Sequence, residues 1–175
     1  MNNYKANKPV LGISAYSGTG KTTLLKNIIP LLKKKNYRVA VIKHAHHAFD
    51  IDQEGKDSYE LRKAGANHML VTSNQRWALM VENINNKEPD VNECVKKLEH
   101  EDIDLILIEG FKKTDIPKIE LHRPSLGHPL LCTNDKNFIA IATDDEIKND
   151  VNIPILDLNN YKMIVECIVK KFPKK

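Results

Sequence analysis

The chain has 175 residues and a net charge of +4, with 41% hydrophobic and 29% charged residues. This composition is typical of a soluble globular protein and excludes a disordered or fibrous chain. No apolar run is long enough to span a membrane, and the polar N-terminus lacks the apolar core of a signal peptide, so we expect a cytoplasmic protein. The small charge and the low aromatic content of 6% do not predict a nucleic-acid partner.

The first predicted strand, "PVLGISAY", runs into the stretch "SAYSGTGKTT", residues 14–23. A phosphate-binding P-loop reads Gly, four residues of any kind, Gly, Lys, then Ser or Thr. Gly20, Lys21 and Thr22 fill the last three places, whereas Ala15 occupies the first. An alanine there adds one methyl group, which costs little where φ is negative. The alternative is a chance match in a strand–helix turn, but the match lies between an apolar strand and an amphipathic helix.

Each residue type in this loop has a chemical reason to be there. Backbone N–H groups and the helix N-terminus bind the phosphates, and Gly18 and Gly20 suit positions with positive φ or close approach to a phosphate. Lys21 is placed to reach the β- and γ-phosphates, and the Thr22 hydroxyl is placed to reach Mg²⁺. The sequence therefore predicts a nucleotide site at this loop.

A helix is predicted from Thr22, with Leu25, Ile28, Ile29 and Leu32 on one face and a kink at Pro30. After a second strand, "YRVAVIK", comes the polar loop "HAHHAFDIDQEGK". Its H-x-H-H spacing is poor for a single zinc ion. Two interpretations stay open, namely a solvated loop and a loop that closes on the phosphates, with Asp50 or Asp52 as a metal or water ligand.

The next segments are predicted to be a helix, a strand pair and a second helix. "DSYELRKAG" is a short helix capped by Asp57, and "PDVNECVKKLEH" is a helix capped by Asp90. Between them, "HMLVTS" and "RWALMVE" indicate a hairpin or two neighbouring strands. The tryptophan of this region, Trp77, is compatible with an interface between chains and with the core of its own chain.

"IDLILIEGF" is predicted to be a strand buried on both faces, and "IPKIELHR" and "FIAIATD" are further strands before a last helix at about residues 161–171. Alternating strands and helices predict a single α/β domain, residues 1–175, with a mainly parallel sheet flanked by helices and an added hairpin. Ligands bind beyond the carboxyl ends of such strands, where residues 15–22, 44–57 and 109–113 all lie. Glu109 is then a candidate for holding Mg²⁺ or positioning the attacking water, or else an ordinary strand end.

Five segments occur in the same order as in one known family: "SGTGKTTLL", "IKHAHHAFDID", "GKDSYELRKAGA", "QRWAL" and "LILIEGFK". Over about residues 10–144 the chain closely resembles the molybdopterin-guanine dinucleotide biosynthesis protein B (MobB) family. Ala15 is not foreign to that family.

The resemblance implies a P-loop NTPase-like fold that binds GTP with Mg²⁺ and hydrolyses it weakly. It also implies a homodimer that assists a MobA-type guanylyltransferase in joining GMP to molybdopterin, with molybdopterin itself a further candidate ligand. Two alternatives stay open. One is a small-molecule kinase, although the four arginines lie in four different segments and do not resemble a lid. The other is a nucleotide-responsive adapter with negligible turnover.

The resemblance and the motif together define the expected site. The residues expected to take part in catalysis are Lys21 and Glu109, and those expected to hold Mg²⁺ are Thr22, Asp50 and Glu109. The nucleotide is expected on Ser17, Gly18, Thr19, Gly20, Lys21, Thr22, Thr23 and Asp144. His46 and Asp57 match family motifs without a defined role. Asp144 is the candidate for reading guanine because it follows the strand "FIAIA", although "TNDK" and "ATDD" match an N-K-x-D loop only in part and either segment can be a capped turn.

Overall fold

The computed structural model describes residues 8–45, 49–83, 85, 87–148 and 150–174. The chain forms two compact units, one of residues 1–44 and 90–175 and the other of residues 45–89. The single domain over residues 1–175 stays a prediction. In the described part of the chain, no helix is long and apolar enough to cross a membrane.

The described chain contains eight strands and four α-helices. The strands are β1 (Val10–Ser14), β2 (Val39–Lys43), β3 (His68–Thr72), β4 (Trp77–Val81), β5 (Leu105–Glu109), β6 (Lys118–His122), β7 (Phe138–Thr143) and β8 (Ile155–Asp157). The helices are α1 (Lys21–Lys34), α2 (Asp57–Lys63), α3 (Val91–Lys96) and α4 (Tyr161–Lys171). Short 3₁₀ turns lie at Pro124–Leu126 and Cys132–Asn134.

The first unit contains a six-stranded sheet in the order β2-β5-β1-β6-β7-β8. Its strand pairings are all parallel, which confirms the predicted α/β architecture. Parallel strands that are covered on both sides need apolar residues on both faces. In β5, Leu105 and Leu107 pack with the α1 and α4 side of the sheet, whereas Ile106 and Ile108 pack with the α3 side. This explains why the strand shows so little polar alternation.

Helix α1 buries the predicted apolar face, with Leu25, Ile28 and Leu32 in the core. Pro30 lies inside the helix, which continues to Lys34, and Asn36 follows with a left-handed φ of 63°. Each fully buried Leu or Ile side chain stabilises such a core by roughly 1.5–3 kcal/mol. The α1 face thus fixes the helix whose N-terminus follows the P-loop.

One predicted helix cap is wrong and one is confirmed. Lys56, not Asp57, is the N-cap of α2, and Asp57 is the first helical residue. A carboxylate in the first turn is still favourable there because it interacts with the positive end of the helix dipole. Asp90 does cap α3, accepting hydrogen bonds from the N–H groups of Asn92 and Glu93.

The second unit contains α2 and the antiparallel pair β3–β4, which confirms the predicted hairpin. Arg62 of α2 forms ion pairs with Asp50, Asp52 and Glu82. These pairs connect both ends of the unit's sequence to one guanidinium group. The planar fork of arginine suits several carboxylates at once.

A buried lysine holds the connection between β5 and β6. Lys118 is fully buried, and its Nζ donates to the carbonyls of Lys112 (3.1 Å) and Thr114 (2.7 Å) and pairs with Asp135. Its stem lies over Gly12, where an added Cβ would come within 2.8 Å of Lys118 Cγ. Burial raises the pKa of Asp135, but the hydrogen bonds from Lys118 and Asn137 lower it by more. The pKa of Asp135 therefore lies below its usual range.

We expect Lys118→Met to destabilise the protein by about 3 kcal/mol, because the stem is kept while a carboxylate and two carbonyls lose their donor. Urea denaturation measures the loss. Lys174→Met is the matched control: the Lys174 side chain is about one-third exposed and pairs with Asp104 at 3.5 Å, so its loss should cost less than about 1 kcal/mol. Equal losses would contradict the role given to Lys118.

The same pair predicts a pH effect. The pKa of Asp135 is lower in the folded state than in the unfolded state, where it is about 3.9. Its contribution to folding stability is therefore complete above the unfolded-state pKa and is lost as the pH falls through the folded-state pKa. Wild-type stability should therefore fall more steeply below pH 4 than that of Lys118→Met.

The turn after β5 requires a glycine. Gly110 has a φ of +105°, and a Cβ built on it would lie 2.7 Å from the Cβ of His44. His44 also stacks on Phe111, with ring centroids 4.5 Å apart. The close approach of these two strand ends therefore depends on a residue without a side chain.

Gly110→Ala should cost more stability than Gly127→Ala. Gly127 also has a positive φ, +67°, but apart from its two chain neighbours no described residue has an atom within 4 Å of a Cβ built there. Its substitution measures the backbone cost alone, about 1–2 kcal/mol. The excess loss at Gly110, again from urea denaturation, reports the collision with His44, and the absence of any excess would refute that collision.

Candidate functional site

The P-loop connects β1 to α1 and has the backbone form that its sequence predicts. Gly18 and Gly20 have φ values of +78° and +104°, which glycine adopts without strain. Ala15 is fully buried at the end of β1 and is not among the described residues with positive φ. The alanine at the first motif position therefore fits the loop without strain.

Side chains fold back over this loop. The Nζ of Lys21 donates to the carbonyls of Ala15 (3.3 Å) and Tyr16 (3.1 Å), and the hydroxyl of Thr19 donates to Tyr16 (2.9 Å). Thr19 is buried and Gly20 and Lys21 are partly buried, whereas four other predicted nucleotide contacts are exposed: Ser17, Gly18, Thr22 and Thr23. The helix N-terminus and this lysine together form a surface that attracts anions.

The positive charge around Lys21 is concentrated. Burial lowers the pKa of Lys21, repulsion from Lys112 and Lys43 lowers it further, and Glu109 acts in the opposite direction. The lysine charges are therefore close enough to disfavour one another. A polyphosphate would relieve this repulsion, because its negative charges would neutralise them.

Glu109 lies where the sequence predicted, at the end of the strand next to β1. It pairs in register with Ile13 on one side and Lys43 on the other, and its side chain is only 13% exposed. The Nζ of Lys43 lies 3.8 Å from its carboxylate. The sheet therefore brings Glu109 into electrostatic range of Lys21.

The available oxygen ligands suit Mg²⁺ only together with a nucleotide. Mg²⁺ commonly takes one or two protein ligands, several waters and phosphate oxygens. Thr22 and Glu109 supply a hydroxyl and a carboxylate of the right kind. Among the described residues there is no group of three or more His, Cys, Asp or Glu side chains that could hold a metal ion alone.

Arg123, which follows β6, is part of this site although its sequence pattern did not indicate it. Its Nε donates to the carbonyl of Thr19 at 3.0 Å, and its guanidinium group pairs with Asp144 at the end of β7. The contact depends on β6 lying beside β1, which the local sequence does not specify. The available signal was a charged residue directly after a strand, at the edge where ligands bind.

A cavity of about 380 Å³ lies among the segments that follow β6 and β7. Its lining includes His122, His128, Glu146, Ile147 and Lys148. His128 stacks on Tyr16 of the P-loop, with ring centroids 4.2 Å apart and planes inclined by 15°. The cavity is therefore next to the P-loop.

Other predicted residues lie outside this unit. Asp50 and Asp52 belong to the second unit, where both pair with Arg62, and Asp57 begins α2 there. His46 lies outside the described residues. The role of Asp50, or alternatively Asp52, as a metal or water ligand stays a prediction, and His46 and Asp57 stay without a defined role.

Comparison with known proteins gives consistent results. A family model described as molybdopterin guanine dinucleotide synthesis protein B matches residues 10–144. The molybdopterin-guanine dinucleotide biosynthesis adapter protein of Escherichia coli K12 is 45% identical over 168 residues, covering 95% of each chain. The protein of the same name from Haemophilus influenzae is 39% identical, covering 91% of this chain and 87% of its own.

Solved structures support the same fold. The structure of Bacillus subtilis MobB has a TM-score of 0.77 at 23% identity and covers 95% of this chain and 99% of its own. A crystal structure of molybdopterin-guanine biosynthesis protein B has a TM-score of 0.74 at 22% identity, covering 94% and 99%. The predicted P-loop NTPase-like fold is thus confirmed. Because the family model covers most of the residues and two relatives exceed 30% identity over nearly the whole length, the chain belongs to the molybdopterin-guanine dinucleotide biosynthesis protein B family.

Proposed function

We propose that this protein is a GTP-binding adapter in the biosynthesis of molybdopterin-guanine dinucleotide. It binds GTP with Mg²⁺ and assists a MobA-type guanylyltransferase that attaches GMP to molybdopterin. The observation that carries the proposal is the P-loop itself, with two positive-φ glycines, a lysine folded across it and a concentration of positive charge. The names of its relatives support the pathway.

Different residues of the loop are proposed to contact different parts of the nucleotide. The N–H groups of residues 17–20 and the α1 terminus cradle the phosphates, and Lys21 exchanges its two carbonyl partners for β- and γ-phosphate oxygens. Thr22 and Glu109 would hold Mg²⁺, with Asp50 as the predicted further ligand. When bound, the ion neutralises charge on the phosphates.

Hydrolysis by the protein alone is proposed to be weak. Arg123 is engaged by Thr19 and Asp144, and the P-loop segment itself carries no arginine or glutamine to stabilise charge or orient water. A small-molecule kinase and an adapter with negligible turnover are the alternatives. Single-turnover hydrolysis with and without the guanylyltransferase separates a slow GTPase from such an adapter.

Assembly as a homodimer is the second part of the proposal. In register, Leu70 lies opposite Leu79 and Thr72 opposite Trp77, so these side chains share one face of the hairpin. Trp77 is 63% exposed, and Leu70 and Leu79 are at least half exposed. An exposed apolar face on a two-stranded hairpin is unfavourable in water, and a second copy would cover it. We further propose a cytoplasmic protein without a nucleic-acid or membrane partner and with molybdopterin as a further candidate ligand.

The phosphate assignment predicts that Lys21→Ala weakens GTP binding by about 10- to 100-fold, because a charge-assisted contact to the phosphates is lost. Thr22→Ala should weaken it only when Mg²⁺ is present. Calorimetry with Mg²⁺ and with a chelator measures both, and wild type should bind ATP at least roughly tenfold more weakly than GTP. The control is Lys26→Ala, an exposed lysine of the same helix. Normal GTP affinity of Lys21→Ala, or equal affinity of wild type for GTP and ATP, would count against the proposal.

The assembly proposal predicts that wild type sediments as a dimer at micromolar concentration and that Trp77→Ala weakens the dimer by roughly 30-fold or more, as loss of an interface anchor does. GTP affinity should stay near normal. Met163→Ala, an exposed apolar residue of α4, is the control and should not change assembly. A monomeric wild type would refute the dimer, and unchanged assembly of Trp77→Ala would place the interface elsewhere.

A further inference from the structure

The cavity after β6 and β7 is placed to receive the base of a nucleotide whose phosphates occupy the P-loop. His128, which lines it, stacks on Tyr16, and Arg123, between the lining residues His122 and Pro124, contacts the carbonyl of Thr19. Its volume of about 380 Å³ is in the usual range for small-molecule sites. The loops that form it follow two strands on the same side of β1, where ligands of parallel sheets bind.

Asp144 already has an ionic partner in the protein and is not free to bind a base. Its carboxylate pairs with Arg123, whose Nε holds the P-loop carbonyl of Thr19. Withdrawing Asp144 to bind a base would leave this guanidinium group, about one-third exposed, without its ionic partner. Asp144 is therefore better suited to bracing the P-loop through Arg123 than to reading a base.

Glu146, two residues further on, lines the cavity and is exposed. Within the described part of the chain, its carboxylate has no hydrogen-bonding or ionic partner, whereas its backbone N–H donates to Asp145. An acceptor on a residue that lines a cavity, without a protein partner, is available to a ligand. It differs in this respect from Asp144.

The chemistry of the lining selects for guanine. A carboxylate accepts from two adjacent donors, and guanine presents N1–H and the 2-amino group on one edge, whereas adenine presents an N1 acceptor there and is repelled. Lys148 and the two histidines can donate to the other edge, at O6 and N7. Leu130 and Ile147 provide apolar contact for the ring.

We propose that Glu146 is the carboxylate that reads the guanine of the bound nucleotide in this cavity, while Asp144 positions the P-loop through Arg123. The inference rests on the proposed function, since it assumes that GTP binds at the P-loop. The 2-amino-4-oxopyrimidine edge is shared by guanine and by pterins. The position of the cavity beside the phosphate cradle assigns it to guanine.

The experiment compares Glu146→Gln with Asp144→Asn for binding of GTP and XTP by calorimetry. Xanthine has a carbonyl in place of the 2-amino group, so a glutamine amide can donate to it while accepting from N1–H. Glu146→Gln should lose about 10- to 100-fold in GTP affinity and gain affinity for XTP. Asp144→Asn should weaken both nucleotides by a similar factor and leave their ratio unchanged. Glu166→Gln, an exposed glutamate of α4, is the control.

The opposite result, with the switch to XTP in Asp144→Asn and none in Glu146→Gln, would overturn the proposal. Free pterin is tested as a separate ligand. If its binding depended on Glu146 while GTP affinity did not, the cavity would belong to a pterin and the proposal would again be wrong. Failure of the proposed function looks different, since wild type would then bind neither nucleotide and Lys21→Ala would change nothing.

Discussion

The parallel pairing of β1 with β5 on one side and β6 on the other is the constraint on which the site depends. It sets Ile13 opposite Glu109 and Ser14 opposite Glu120, so that the three strands end at one edge. A slip of one residue would turn Glu109 to the opposite face of the sheet. The P-loop, the Glu109 carboxylate and Arg123 meet because this register is fixed by residues that are buried on both faces of the sheet.

This register has to be maintained where the chain crosses from β5 to β6 without an intervening helix. The connection lies over β1 at Gly12, and the space left by the missing side chain is filled by the stem of Lys118. The lysine then supplies donors to the carbonyls of Lys112 and Thr114, which would otherwise lack partners in the described structure. The buried ammonium group of Lys118 thus satisfies backbone carbonyls of this connection, as backbone N–H groups do inside a helix.

The sequence was sufficient wherever the signal is local. Continuous apolar runs predicted the buried strands, the position of Asp90 predicted its cap, and α4 has the predicted bounds. It was insufficient wherever the partner is distant in sequence. The Asp57 cap was a local miss of one residue, because the first helical residue is Asp57 and the extended cap is Lys56. Arg123 reaches Thr19 across 104 residues, a contact that no local pattern encodes.

The carboxylates near this edge show why residue type and position alone could not assign their roles. Glu109 is largely buried, and its carboxylate lies 3.8 Å from the Nζ of Lys43. Glu120 is fully buried and accepts from the N–H groups of Leu131 and Cys132, so it fixes the turn beside the cavity.

The thiol of Cys132, next to Glu120, also depends on its surroundings. Burial, followed by the charge of Glu120, raises the pKa of Cys132 to about 12, which keeps the thiol protonated. Asp144 is paired with Arg123, and Glu146 is among the residues that line the cavity. Four acidic residues whose roles the sequence does not distinguish thus have different surroundings in the fold. Glu146 has no donor to its carboxylate in the described part of the chain, which is why we propose that it meets the donors of a ligand.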